Sequence, residues 1–215
     1  MNFSVSKENI LKRIRKALSE STPLPFATGE GNQSVFHPAA DDLSLVFAEA
    51  FTRLQGKFVF CLDEAEMMEQ LSGLCRQMEW SKVFCREAAL KESLVQAGVK
   101  GIVIGAGTAE LSQCDVAVTT CECLVARTGT LVLSSAGESG RTPSVYAPVH
   151  ICIADTSQLV YDVRDGLKLL REKYGNNLPS LVSFASGPSR TADIEKTLVV
   201  GVHGPKEVYV FLVNR

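Results

Sequence analysis

Groups that could bind an anion are concentrated in residues 125–151, in the second half of the chain. This segment contains Thr128, Thr130, Arg141 and His150. The glycine between the two threonines leaves room for a close approach, so backbone N–H and side-chain O–H groups can face one ligand oxygen. An arginine adds a planar fork for a carboxylate or phosphate. The segment therefore predicts an anion-binding site, with a hairpin that carries a surface arginine as the alternative.

A second polar stretch, residues 185–205, contains two Gly-Pro turns separated by a short apolar run. We expect residues 189–195 to form a short helix or turn. Its N-terminus, with the Ser189 hydroxyl and Arg190 beside it, would receive an anion. Asp193 would orient Arg190 or a histidine. A capped loop without a ligand explains the same residues, and this alternative stays open.

Two histidines could transfer a proton near neutral pH. His150 lies in a strand whose alternation places it on the face opposite Ile151 and Ile153, and a hydrogen-bonded structural histidine is the alternative. His203 follows the apolar run of the second stretch, at the end of a strand, where α/β folds bind their ligands. Both histidines are therefore candidate catalytic residues.

The seven cysteines are predicted to be free thiols rather than metal ligands or disulfides. Their number is odd, and no pair has the Cys-x-x-Cys spacing. Cys61, Cys85 and Cys152 lie in apolar runs, which is typical of small buried residues in a reducing compartment. The three cysteines between residues 114 and 123 match no standard zinc or iron–sulfur spacing. We therefore predict no metal site in this chain.

The elements that must position these groups alternate between helix and strand, which predicts an open, largely parallel α/β sheet. Helices are expected at about 41–54, 63–78 and 86–97, and each leads to an apolar strand buried on both faces. After residue 115 strands dominate, and one further helix is expected at about 162–173, with Asp162 as its N-cap. The later strands are predicted in the segments DVAVTT, GTLVLSS, VHICIA, QLVYD, LVSFAS, KTLVVGV and EVYVFLV.

The domain organisation predicted from the sequence is an N-terminal helix and linker, residues 1–38, followed by an α/β domain, residues 39–215. Residues 6–18 place apolar side chains on one helical face and basic side chains on the other. Residues 19–38 are rich in Ser, Thr, Gly and Pro, which is typical of a linker. The helix could dock on its own domain or contact another chain, and its sequence favours neither.

Composition and charge exclude several classes of partner. The net charge of -2 and the pI of about 6.0 argue against a nucleic-acid-binding surface. No apolar run approaches the roughly 20 residues that a membrane span needs. The first residues lack the apolar core of a signal peptide. We therefore expect a cytoplasmic protein.

Several of these motifs together resemble the lactate-utilization (LUD) domain family. The segments are RTGTLVL, SGPSRTADIE and LVVGVHGPKEVYVFLV, together with an Arg before Pro-x-His. The resemblance implies a fold like that of glucosamine-6-phosphate deaminases, ribose-5-phosphate isomerases and CoA transferases. It also implies a role in oxidising L-lactate to pyruvate with iron–sulfur partner subunits. The family's cysteine sets are absent here, so the iron–sulfur clusters are expected in the partners and no cofactor in this chain.

The resemblance also assigns site residues and exposes one departure. The family's motif residues fall on Thr128, Gly129, Thr130, Arg141, Pro148, His150, Ser186, Gly187, Pro188, Ser189, Asp193, Ile194, His203, Gly204 and Pro205. The family usually has an acidic residue just before Thr-Gly-Thr, where this chain has Arg127. If that acid is catalytic in relatives, this protein lacks the step or uses Glu122.

Three functional hypotheses follow from these residues. In the first, the chain is a non-redox subunit of a lactate-oxidising system. Arg141 would then hold a small carboxylate, and His150 or His203 would move a proton. In the second, it is a stand-alone enzyme acting on a sugar phosphate or CoA ester, with Glu122 or Asp193 as base or nucleophile. In the third, it is a non-catalytic scaffold that docks partner subunits through residues 6–18.

Overall fold

The computed structural model describes residues 5–19, 42–103, 108–194, 197–200 and 204–215. The chain divides into two compact units, Met1–Pro38 and Ala39–Arg215. In the first unit, helix α1 (Val5–Ser19) confirms the predicted N-terminal helix. Its apolar side chains Ile10, Leu11 and Ile14 are exposed.

The second unit alternates helices and strands, as predicted, over its first half. The described strands are β1 (Lys57–Cys61), β2 (Val83–Phe84), β3 (Ile102–Val103), β4 (Val116–Thr120), β5 (Cys123–Val125), β6 (Thr130–Ser134), β7 (Val149–Asp155), β8 (Leu159–Val160), β9 (Val182–Ala185), β10 (Arg190–Ile194), β11 (Thr197–Val200) and β12 (Glu207–Val213). The described helices are α2 (Leu43–Arg53), α3 (Glu64–Gln77), α4 (Ala88–Gln96), α5 (Thr108–Leu111), α6 (Pro143–Tyr146) and α7 (Val163–Tyr174). Among them, none is long and apolar enough to cross a membrane.

Six strands form an open parallel sheet in the order β1-β12-β7-β4-β2-β3. Every neighbouring pair in this sheet runs parallel. Parallel strands require crossover connections, and α3 and α4 supply them between β1, β2 and β3. The predicted open, largely parallel α/β sheet is therefore confirmed.

A second sheet has the order β8-β5-β6-β9 and is mixed, because β5 runs parallel to β8 and antiparallel to β6. Strands β10 and β11 form a separate antiparallel hairpin. The short helix or turn predicted at residues 189–195 is therefore wrong. Pairing with β11 draws Arg190–Ile194 into an extended strand, since Arg190 lies opposite Val200 and Thr191 opposite Val199.

The layers are held together by two large apolar clusters, one on each face of the parallel sheet. On one face, Ile151 and Phe211 pack with side chains of α3 and α4. On the other, Cys152 and Val210 pack with Phe47 of α2 and with the second sheet. The sheet is thus covered on both sides, which explains its continuous apolar strands. Helix α7 covers the outer face of the second sheet.

The chain passes directly from the parallel sheet to the second sheet twice. The first crossing, Cys121–Glu122, joins β4 to β5, and the second, the 3-10 turn Thr156–Gln158, joins β7 to β8. The Gln158 side chain donates from Nε2 to the Cys121 carbonyl oxygen at 2.7 Å. This hydrogen bond ties the two crossings together.

Candidate functional site

A cleft of about 310 Å³ opens at the carboxyl ends of β2 and β4. Its floor includes Thr119 and Thr120 at the end of β4, and one wall is the loop that follows β6. The end of α7 supplies Lys173 and Tyr174. Open parallel sheets bind ligands at this edge. The cleft is therefore the strongest candidate for a functional site in the described part of the chain.

Glu122 is an enclosed charged group of the cleft, with a side chain that is 7% exposed. Its Oε2 accepts a hydrogen bond from Lys173 Nζ at 2.8 Å, and its Oε1 accepts bonds from Tyr174 OH at 2.7 Å and from Ser134 Oγ. Burial opposes ionisation of this carboxyl. The hydrogen bonds from Lys173, Ser134 and Tyr174 outweigh burial and hold its pKa below the ordinary value. Glu122 is thus an ionised acceptor at neutral pH.

A second carboxylate, Glu87, also lines the cleft and lies three residues after β2. Its Oε1 accepts from the Thr120 backbone N–H at 2.8 Å and from Ser139 Oγ at 2.7 Å, and its Oε2 accepts from Thr120 Oγ1 at 2.8 Å. Glu87 precedes α4, but its side chain does not cap that helix. Instead the Glu138 carboxylate accepts from Ala88 N–H at 2.7 Å. Glu87 is therefore directed into the cleft and anchors the end of β4.

The predicted catalytic residue His150 lies behind the cleft and is 1% exposed. Its Nε2 is hydrogen-bonded to Oγ1 of Thr119 at 2.8 Å, and Thr119 lines the cleft. Desolvation by burial lowers the pKa of His150 to about 4. The imidazole is therefore neutral near pH 7. The predicted alternation is confirmed, because Ile151 and Ile153 join the apolar cluster on the opposite face.

The Thr-Gly-Thr motif lies away from this cleft, against the C-terminal end of α2. Thr128 Oγ1 and Thr130 Oγ1 are hydrogen-bonded at 2.7 Å, and Thr130 Oγ1 is also bonded to Ser186 Oγ at 2.6 Å. Gly129 has a φ of 57°, and a Cβ at this position would lie 2.5 Å from the backbone nitrogen of Phe51. Close packing against α2 accounts for the glycine and for the orientation of both hydroxyls.

Part of the second polar stretch meets the same end of α2. A Cβ on Gly187 would lie 2.8 Å from the Leu54 carbonyl oxygen, and that oxygen accepts a hydrogen bond from Arg190 Nη2. The Ser189 backbone N–H donates to the Pro205 carbonyl at 2.9 Å. A Cβ on Gly204 would lie 2.8 Å from Ser189 Cβ. The two Gly-Pro turns therefore lie together.

The remaining predicted residues are dispersed. Arg141 is exposed and donates from Nη2 to Ser180 Oγ at 3.0 Å, next to the loop that forms the cleft wall. Asp193 lies in β10 of the hairpin, and its backbone alone is described. His203 lies outside the described residues, and the strand preceding it belongs to the hairpin rather than to the parallel sheet. Their catalytic and binding roles stay predictions.

Arg127, which comes just before the Thr-Gly-Thr motif, is part of an ion pair. Its Nε lies 2.7 Å from Oδ2 of Asp162. Asp162 is also the N-cap of α7, as predicted, and its Oδ1 accepts from the Arg164 backbone N–H at 3.1 Å. The hydrogen bonds from Arg164 and Arg127 lower the pKa of Asp162 below its ordinary value, against a desolvation cost. Arg127 thus holds the start of α7.

All seven cysteines are free, and all except Cys121 are buried. Burial raises the pKa of Cys61 and Cys75 to about 11 and that of Cys85 and Cys123 to about 12. These thiols stay protonated and are poor nucleophiles. Within the described residues, no three His, Cys, Asp or Glu side chains lie close enough to hold a metal ion.

Several residues of the cleft were not anticipated from the sequence. These are Glu87, Ser134, Ser139, Lys173 and Tyr174. Glu87 follows a predicted apolar strand, so the rule that ligands lie at carboxyl ends of parallel strands could have identified it. Lys173 and Tyr174 close an ordinary amphipathic helix, and no local signal distinguishes them.

A model of the LUD domain matches residues 45–213, most of the second unit. The chain belongs to the LUD domain family. It is 42% identical over 95 residues to an uncharacterized protein of Neisseria meningitidis, an alignment that covers 43% of this chain and 39% of the relative. It is 40% identical over 102 residues to lactate utilization protein C 1 of Bacillus mycoides, which covers 46% of this chain and 44% of the relative. Lactate utilization protein C of Bacillus subtilis is 37% identical over 106 residues, with coverages of 48% and 44%.

These alignments span less than half the length of the curated relatives. The crystal structure of a DUF162 family protein from Deinococcus radiodurans resembles this LUD domain with a TM-score of 0.62 at 20% identity. The match covers 80% of this chain and 96% of that chain. At this identity the likeness concerns the fold alone, and it agrees with the open parallel sheet.

Proposed function

We propose that this LUD domain protein takes part in L-lactate utilization and binds a small hydroxy acid in the cleft at the end of β4. Relatives named lactate utilization protein C support the pathway. The observation that carries the ligand class is the combination of Lys173 with ionised Glu122 in one polar cleft. The ligand therefore needs an anionic group and a hydroxyl donor at the same time.

Charge balance explains why a hydroxy acid suits the cleft better than a simple carboxylate. Two carboxylates, Glu87 and Glu122, face a single lysine among the lining residues. A bare anion meets net repulsion there, whereas a hydroxyl group can donate to a carboxylate oxygen. Lys173 is 56% exposed and can turn from Glu122 towards an incoming carboxylate. Glu122 would then accept a hydrogen bond from the hydroxyl group of the ligand.

The oxidation of lactate needs an electron acceptor, and we propose that partner subunits supply it. This chain would bind and orient the hydroxy acid, and iron–sulfur clusters of the partners would take the electrons. In this arrangement the chain itself transfers no electrons and is a non-redox component. The predicted scaffold role through residues 6–18 is compatible with it, since α1 is an exposed amphipathic helix.

A second candidate function is catalysis on a sugar phosphate or CoA ester. The volume of about 310 Å³ favours it, since that space lies in the range of pockets for larger ligands. Glu122 would be the base or nucleophile, because its lowered pKa keeps it ionised. In this case lactate would not stabilise the protein, whereas a phosphate ester or CoA ester would.

Thermal unfolding in the presence of lactate, pyruvate, propionate, sugar phosphates and CoA separates these candidates, because a ligand of the folded state raises the midpoint. We expect lactate to raise it more than pyruvate or propionate, which lack the hydroxyl donor. Lys173→Gln should weaken lactate binding about tenfold or more by removing a charge-assisted hydrogen bond. Equal shifts with lactate and pyruvate would overturn the hydroxy-acid assignment.

The matched control is Lys168→Gln, on the same helix. Lys168 is 75% exposed and pairs only at 3.8 Å with Glu172, so lactate binding should not change. Glu122→Gln should abolish the preference for lactate over pyruvate. A neutral amide oxygen is a weaker hydrogen-bond acceptor for the lactate hydroxyl than a carboxylate is. We expect it also to lower the free energy of unfolding by about 2 kcal/mol through the loss of three hydrogen bonds to a carboxylate.

A further inference from the structure

A second cavity, of about 370 Å³, lies near the amino ends of β2 and β3, whereas the cleft lies at the carboxyl ends of the parallel strands. It is bounded by the C-terminal ends of α3 and α4, just before β2 and β3 begin. Its wall includes the apolar side chains of Trp80 and Val99, and its rim includes Arg76, Lys100 and Glu79. Neither the family resemblance nor the proposed function involves this cavity.

The two helix ends that form the cavity have the same local structure. Trp80 N–H donates to the Cys75 carbonyl at 3.1 Å, and Val99 N–H donates to the Leu94 carbonyl at 3.0 Å, each five residues back. The residue before each donor is left-handed, with φ of 54° at Glu79 and 77° at Gly98. This is the Schellman ending of a helix, in which the residue after the left-handed one packs inward.

The repeated motif therefore places Trp80 and Val99 in equivalent positions on the two helices, and both line one cavity. Val99 is 8% exposed and Trp80 is half-buried against the same apolar cluster. The Trp80 ring meets the Tyr209 ring edge-on, with centroids 6.2 Å apart at 86°. This contact restrains the indole, which lines the cavity and offers a flat apolar surface to a ligand.

Charge at the rim selects the sign of the ligand. The side chains of Arg76 and Lys100 are exposed, and neither forms a hydrogen bond or ion pair with another described side chain. The closing hydrogen bonds of the two Schellman motifs already satisfy the carbonyl oxygens of Cys75 and Leu94. With Glu79 as the one acid among the lining residues, the rim is net positive.

We propose that this cavity binds a small planar organic anion, such as an aromatic carboxylate, with its ring against Trp80 and its carboxylate on Arg76 and Lys100. The site shares no lining residue with the cleft, so this proposal is independent of the proposed function.

Trp80 is the single tryptophan of the chain, so its fluorescence reports on this cavity directly. Titration with benzoate should give a saturable change in tryptophan emission. The neutral isostere benzamide should bind at least about tenfold more weakly, because it cannot form charge-assisted hydrogen bonds. The double variant Arg76→Gln, Lys100→Gln should lose affinity for benzoate to a similar extent.

Two further variants control for nonspecific effects. Arg164→Gln removes an exposed arginine from α7, and Lys173→Gln alters the cleft, so both should leave benzoate binding unchanged. The proposal is overturned if benzoate gives no saturable change or if benzamide binds equally well. It is also overturned if Arg164→Gln weakens binding as much as the double variant does.

Discussion

His150 and Glu122 are both enclosed titratable groups, and their surroundings shift them towards opposite charge states. Among the described residues, His150 is hydrogen-bonded to one hydroxyl group, and desolvation leaves the imidazole neutral. Glu122 has three donors, one of them charged, and these outweigh the cost of burial. The ionised hydrogen-bond acceptor of the cleft at neutral pH is therefore Glu122. His150 is neutral and supports Thr119, the β4 residue to which it is hydrogen-bonded.

Protonation of His150 should make stability pH-dependent above the range where carboxylates titrate. The folded pKa of about 4 lies below the ordinary 6.5, so the unfolded chain binds the proton more tightly. The contribution of His150 to the free energy of unfolding is therefore complete above pH 6.5 and is lost as the pH decreases towards 4. The full loss is about 3 kcal/mol. Urea unfolding at a series of pH values measures it.

The variant His150→Asn is the comparison for this prediction, because its amide can still bond to Thr119 but does not titrate. Between about pH 6.5 and 5 its free energy of unfolding should vary less than that of the wild type. The carboxylates with lowered pKa, such as Glu122, lose their contribution only at more acidic pH. An equal slope in both proteins would contradict the assignment to His150.

Residue types could be predicted from the sequence better than residue surroundings. Thr128 and Thr130 offer hydroxyls that suit an anion, but both bond within a cluster packed on α2. Glu122 was predicted as a substitute for an acid at the position of Arg127 and as a base or nucleophile, but the donors that surround it in the cleft were not predicted. The exposure of a hydroxyl or carboxylate group depends on contacts between segments that are distant in sequence. No local sequence pattern predicts these contacts.

Elements that carry their own periodicity, such as α7, were predicted closely. Its N-cap Asp162 has a capping box with Asp165 and also pairs with Arg127. The hairpin β10–β11 was not predicted, because Arg190–Ile194 is polar and becomes a strand only by pairing. Local pattern is sufficient for a helix with an apolar stripe and insufficient for a strand that a partner defines.

Substitutions of Asp162 should separate the contribution of helix capping to stability from that of the ion pair with Arg127. Asp162→Ala loses the cap and the ion pair and should lower the free energy of unfolding by about 2 kcal/mol. Asp162→Asn keeps a capping oxygen and should cost about 0.5 to 1 kcal/mol. Chemical denaturation of both variants tests this. A cost for Asn equal to that for Ala would show that capping contributes nothing.

The close approach of Gly129 to α2 should make it intolerant of a side chain. Gly129→Ala forces an alanine into a left-handed conformation and places its Cβ against the Phe51 backbone, so we expect a loss of about 3 kcal/mol. Gly137→Ala is the control, since a Cβ there meets no atom within 4 Å and its φ is not left-handed. That variant should stay within about 0.5 kcal/mol of the wild type. Comparable midpoints for both alanine variants in urea would contradict the packing role.

At the scale of the whole molecule, the parallel sheet was predictable because its strands alternate with helices. Its division from a second sheet was not, because Cys123–Val125 is three residues long and has no turn signal before it. Strand order depends on pairings between remote segments, such as β1 with β12. Periodicity identifies each strand but does not reveal its neighbours.

The two units of the chain lead to a prediction about truncation. Residues 39–215 contain both sheets and the apolar clusters around them, so we expect this segment to fold without residues 1–38. Its thermal midpoint should lie within about 4 °C of that of the full chain, a difference of roughly 1 kcal/mol. Circular dichroism on heating measures it. A non-cooperative transition in the truncated protein would contradict it.

The two crossings, Cys121–Glu122 and Thr156–Gln158, lie where the chain passes between the two sheets, and the hydrogen bond from Gln158 to Cys121 fixes one to the other. Glu122 belongs to the first crossing, whereas Glu87 follows a strand of the parallel sheet and Lys173 lies near the end of the helix that covers the second sheet. A ligand that contacts both Glu87 and Lys173 would therefore bridge the two sheets, and it would meet Glu122 at the place where they join.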